Sequence, residues 1–113
     1  MSLKLLNYAR ELLRAEENAS EIKPFTDRDQ SLTVDDAYHI QLETVKLKEK
    51  QGRNVIGKKV GLTSKAMQEM LKVNQPDYGH TMDDMIFENN STVSLNQFIA
   101  PRIEFEIAFV LKK

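Results

Sequence analysis

Pro101-Arg102-Ile103-Glu104-Phe105-Glu106-Ile107-Ala108-Phe109-Val110-Leu111 reads as a β-strand from Ile103 to Leu111. Side chains alternate across a strand, so Ile103, Phe105, Ile107, Phe109 and Leu111 share one apolar face and Glu104, Glu106, Ala108 and Val110 the other. A strand wetted on one side keeps that side polar along its length. Here the acidic face turns into Ala108 and Val110, which predicts that it is partly covered. Two glutamates two residues apart lie about 7 Å apart at the backbone, and their side chains can converge on one ion. All-oxygen ligation favours a hard cation, Mg²⁺ or Mn²⁺. Left uncompensated, the two charges should raise at least one of the carboxyl pKa values. The alternative is a pair of surface glutamates on an edge strand, balanced by Arg102 or a lysine.

Upstream, Val55-Ile56-Gly57-Lys58-Lys59-Val60-Gly61-Leu62 is a second strand pattern. Alternation puts Val55, Gly57, Lys59 and Gly61 on one face. Glycines beside Lys59 remove side chains and permit close approach of a ligand, or else mark a bulge. A lysine so placed can hold a carboxylate or assist proton transfer, or it can be an exposed lysine of an edge strand. Lys58 falls on the other face and can snorkel to water. Ser64 caps a short helix, Lys65 to Lys72. Asn74-Gln75-Pro76-Asp77-Tyr78-Gly79 has turn composition. Asp77 is there either a turn-stabilising aspartate or a site residue. Short strands are expected around Met85–Phe87 and Thr92–Leu95.

Further out, helical spacing of Leu5, Leu6, Ala9, Leu12 and Leu13 predicts an amphipathic helix over 3–18. Pro24 and the polar cluster after it form a loop. Thr33 and Asp36 make a capping box for a second helix that runs to about Lys50 and ends at Gly52. Lys46, Lys48 and Lys50 read as a solvated helix end that suits the dipole. His39 and His80 lack metal-ligand spacing and stay outside the site.

Length and composition set the outer bounds. The chain has 113 residues, 41% hydrophobic and 29% charged, with a formal net charge of −1 and no cysteine. That describes an ordinary globular domain with no electrostatic basis for binding nucleic acid or an anionic membrane surface. Disulfides and thiolate chemistry are excluded. No apolar run approaches a membrane span and no signal-peptide core is present, so the expected location is the cytoplasm. Helices come first and strands after, which gives an α+β class.

Five segments in this order resemble a known family. They are Ala37-Tyr38-His39-Ile40-Gln41, Gly57 to Ser64, Gln75 to Gly79, Asp84-Met85 and Pro101 to Ala108. The family is the 2-keto-4-pentenoate (2-hydroxypenta-2,4-dienoate) hydratases, in the hydratase/decarboxylase branch of the fumarylacetoacetate hydrolase superfamily. The resemblance implies a helical region over 1–52 and the first strands of a β-rich catalytic domain over 53–113. It implies Glu104 and Glu106 as ligands of Mg²⁺ or Mn²⁺, with Lys59 and Asp77 as catalytic residues. It also implies a lyase adding water to 2-hydroxypenta-2,4-dienoate in aromatic-compound catabolism, within a homo-oligomer. Family members are longer, with a third metal carboxylate lying beyond Lys113. The chain is therefore expected to be an N-terminal part, weak in metal and inactive alone. A metal-dependent decarboxylase of a 2-oxo diacid shares the lysine strand and Glu-x-Glu. A non-catalytic binding or oligomerisation module is the alternative outside enzymology.

Overall fold

A computed structural model describes residues 2–112. The element order is α1 (Leu3–Glu17), α2 (Val34–Lys50), β1 (Val55–Gly61), α3 (Lys65–Met70) and β2 (Asp77–Met82), with single 3₁₀ turns at Phe25–Asp27, Asp83–Met85 and Leu95–Gln97. The class is thus mixed helix and antiparallel sheet.

The helices start where the sequence supplies caps. Ser2 accepts a hydrogen bond from the Leu5 amide. Thr33 accepts from the Asp36 amide while Asp36 accepts from the Thr33 amide, completing the capping box. Past the last turn of α2, Gly52 has φ +89°, a left-handed conformation that favours glycine. The two helices pack on each other around Leu5, Ala9 and Ile40, with Tyr8, Leu12, Phe25, Leu32 and Leu47 closing the cluster. Lys48 belongs to this packing and not to a solvated helix end. It is 8% exposed, and its ammonium lies 2.8 Å from Glu16 Oε2 on α1. Burial is tolerated because the charge is paired.

β1 and β2 form an antiparallel pair in which Lys59 faces Gly79, Val60 faces Tyr78 and Gly61 faces Asp77. The register shifts between Val55 and Gly57, since Val55 pairs with Met82 and Gly57 with Thr81. This bulge breaks the expected alternation. Val55 leaves the Gly57–Lys59–Gly61 side for that of Met82, His80 and Tyr78. The latter side rests on α2: Tyr78 stacks on Tyr38 at 5.1 Å, and Gln41 Nε2 donates to the Tyr78 carbonyl at 3.1 Å. His80 Nδ1 lies 2.8 Å from Gln41 Oε1, so His80 serves this packing.

Several expected elements take another form. Asn74 and Gln75 form a bend, but Asp77 already begins β2, because pairing with β1 overrides the turn composition of Asp77-Tyr78-Gly79. Met85–Phe87 and Thr92–Leu95 are not strands; 3₁₀ turns and irregular backbone replace them. α3 stops at Met70 instead of Lys72. Ile103–Leu111 has no strand assignment, since among the described residues no neighbouring strand pairs with it. Its acidic face is not covered either, with Val110 98% exposed, and the apolar face is equally open, with Phe105 100% exposed.

Candidate active site

The α2-facing side of the hairpin leaves the other side open. That open side carries Gly57, Lys59 and Gly61 on β1 and Thr81, Gly79 and Asp77 on β2. Lys59 therefore has a glycine on either side along its own strand and a third glycine, Gly79, directly opposite. A Cβ added at Gly57 or Gly79 would meet nothing within 4 Å, so the floor around the lysine is bare. Gly61 is different. A Cβ there would come within 2.6 Å of Asp77 Oδ1, so its missing side chain is what lets the Asp77 carboxylate lie across β1.

Glu104 and Glu106 reach this face from the C-terminal segment. Lys59 Nζ donates to Glu106 Oε1 at 2.8 Å and to Glu104 Oε2 at 3.3 Å. The three side chains are 56%, 65% and 47% exposed for Lys59, Glu104 and Glu106. The two carboxylates, two residues apart, meet one cationic centre although Ile103–Leu111 is not a strand. The pKa expectation is reversed for Glu106. The Lys59 ammonium, and secondarily a hydrogen bond with Glu104, hold the Glu106 carboxyl below the usual range. Lys59 is raised in turn, by Glu106 first and Glu104 next. The like charges are compensated, so repulsion does not dominate.

The structure thus brings Lys59, Glu104 and Glu106 into contact and places Asp77 on the same sheet face, two residue pairs along. Oxygen-only donors fit a hard divalent cation. Among the described residues no group of three or more His, Asp or Glu side chains is arranged around one point. Two carboxylates are the donor set found. A second polar cluster escaped the sequence reading. Arg53 Nε lies 2.7 Å from Asp84 Oδ2, and Asn54 donates through its amide and its side chain to Asp83. These contacts close the base of the hairpin, and no local pattern links residues so far apart in sequence. No helix among the described residues is long and apolar enough to cross a membrane.

No family model matches the chain. Relatives do. It is 49% identical over 104 residues to a 2-hydroxyhexa-2,4-dienoate hydratase of Comamonas testosteroni, covering 90% of this chain and 39% of that protein. It is 43% identical over 104 residues to a 2-hydroxypent-2,4-dienoate hydratase of Pseudomonas putida, covering 91% of this chain and 47% of that one. Among solved structures, the 4-oxalocrotonate decarboxylase of Pseudomonas putida G7, complexed with magnesium and adipate, superposes with a TM-score of 0.70 at 34% identity. That match covers 72% of this chain and 31% of the decarboxylase. The chain spans less than half the length of these relatives. Over the part of their length that it spans, the chain is similar to dienoate hydratases and to the related decarboxylase.

Proposed function

We propose that the protein carrying this chain is a divalent-metal-dependent hydratase that adds water to 2-hydroxypenta-2,4-dienoate to give 4-hydroxy-2-oxopentanoate. The observation that carries this reading is the meeting of Glu104 and Glu106 beside Lys59, on a glycine floor that also holds Asp77. In this reading residues 53–113 open a β-rich catalytic part resembling the fumarylacetoacetate hydrolase fold, and residues 1–52 form its helical support. Glu104 and Glu106 would hold Mg²⁺ or Mn²⁺. The ion when bound supplies Lewis-acid stabilisation of the charge that develops on the substrate's 2-oxygen.

The chain's own residues then handle protons. Lys59, a cation on the glycine floor, would hold a substrate carboxylate or move a proton. Asp77, held across Gly61, is the acceptor. Loss of the 2-hydroxyl proton to Asp77 and protonation of the terminal carbon convert the dienol into an α,β-unsaturated 2-oxo acid. Water adds at carbon 4 and a proton returns to carbon 3, so the balance is one water per substrate. The bare glycine floor gives a small planar acid room to lie beside these groups.

A second reading, decarboxylation of a 2-oxo diacid, is supported by the likeness to the 4-oxalocrotonate decarboxylase. The test supplies both substrates with Mg²⁺. Loss of dienol absorbance with formation of 4-hydroxy-2-oxopentanoate is the expected result. Carbon dioxide release from the diacid without hydration of the dienol would decide for the decarboxylase.

A further inference from the structure

We propose that the Lys59 ammonium and a divalent cation are alternative occupants of the Glu104–Glu106 pair. Lys59 holds the carboxylates together in the metal-free protein and is released over the glycine floor toward Asp77 when metal binds. The inference rests on the reading that the two glutamates are metal ligands, and adds a role for Lys59 that precedes any chemistry.

Four observations carry it. Nζ sits within hydrogen-bond distance of one oxygen from each carboxylate, 2.8 and 3.3 Å away, which is the point where one cation can serve both. One positive charge against two negative ones leaves the cluster short by one, so a doubly charged ion is the stronger competitor by simple Coulomb attraction. The space beside Lys59 is open, since neither Gly57 nor Gly79 offers a side chain and a Cβ at either would meet nothing within 4 Å. A four-carbon stem with rotatable bonds can swing there without displacing protein atoms. Finally, among the described residues the contacts with Lys59 are the only side-chain hydrogen bonds or ion pairs that tie Ile103–Leu111 to the rest of the protein. Lys59 therefore both gathers the ligands and blocks them. At half-exposed side chains the gathering contributes little, whereas a second cation beside the first is directly repelled, so the blocking dominates.

The test measures Mn²⁺ affinity by electron paramagnetic resonance of the free ion, for the unsubstituted chain and for Lys59→Met, Lys59→Arg, Glu104→Gln and Glu106→Gln. It is paired with nuclear magnetic resonance of the Lys59 ε-methylene and ammonium signals during titration with Mg²⁺. Lys59→Met should bind Mn²⁺ about three- to tenfold more tightly. Lys59→Arg, whose planar fork grips carboxylates through two donors, should bind it more weakly than the unsubstituted chain. The Lys59 signals should move in step with Mg²⁺ occupancy toward those of the Glu104→Gln, Glu106→Gln double variant. If the glutamate variants weaken Mn²⁺ binding while Lys59→Met does not strengthen it and the Lys59 signals stay still, the exchange is overturned and the metal reading stands. If the glutamate variants leave Mn²⁺ binding unchanged, both fall.

Discussion

At Gly61 the structure separates a packing role from a chemical one. A methyl group there would meet the far end of the Asp77 side chain at 2.6 Å and no backbone. Asp77 can rotate away, so Gly61→Ala should change the thermal midpoint little, within about 0.5 kcal/mol in stability. Hydration should fall by about tenfold to a hundredfold if Asp77 handles a proton from its present position, because small misplacements cost that much. Parallel melting curves and turnover measurements decide it; an unchanged turnover removes Asp77 from the chemistry. Asp29 gives a prediction in pH. The Ser31 hydroxyl, then Lys4 at 3.0 Å, lower its pKa from 3.8 to about 2. A carboxyl depressed on folding contributes stability that is whole above the unfolded pKa and lost as pH falls through the folded one. Urea midpoints should therefore drop between about pH 4 and pH 2, and Asp29→Asn should flatten that limb and meet the unsubstituted chain at its acid end. Residues of this kind were only half legible. The glycines beside Lys59 and the alternation of Glu104 and Glu106 stand in the sequence. Their meeting across 45 and 47 residues does not, because no local preference encodes a contact of that separation.

At the scale of elements, the helices were readable because their determinants are local. Apolar spacing, Ser2, the Thr33–Asp36 box and Gly52 lie within or beside the helices they bound. That locality makes the capping box testable in isolation. Thr33→Ala removes the acceptor for the Asp36 amide and should cost about 1 kcal/mol of stability, with Thr33→Ser recovering most of it. Chemical denaturation at neutral pH measures both. The strands were less readable for the opposite reason. β2 contains Gly79 and follows Pro76, so its composition argues for a turn, and only its pairing with β1 makes it a strand. The bulge at Val55–Gly57 is likewise a property of the pair, and it sends Val55 to the side away from Lys59. Ile103–Leu111 shows the converse. Its alternation is the clearest in the chain, but a pattern states what a segment can pair with and supplies no partner.

The whole molecule is graded in how firmly its parts are held. The α1–α2 pair has the apolar cluster of Leu5, Ala9 and Ile40 and the Lys48–Glu16 tie. The hairpin has its own ladder and leans on α2 through Tyr78 and His80. The segment that bears both glutamates has neither a ladder nor a covered apolar face among the described residues, and Lys59 is its polar link to the sheet. Local opening follows buried contacts and protected hydrogen bonds, so this grading predicts an order of amide hydrogen exchange. The Ala9 and Ile40 region should exchange slowest, Val60 and Tyr78 next, and residues 103–111 close to the rate of an unstructured peptide. The same order bears on the site, because ligands carried on the least protected segment are gathered only as well as their tether allows. Lys59→Met should therefore leave exchange in the helices unchanged, while any residual slowing at Glu104 and Glu106 disappears. Saturating Mg²⁺ should restore slowing at those two amides in the variant if the metal takes over the lysine's place as the tether. Slow exchange throughout 103–111 in the unsubstituted chain would mean that the segment is held by contacts other than Lys59, and that the glutamates are positioned without it.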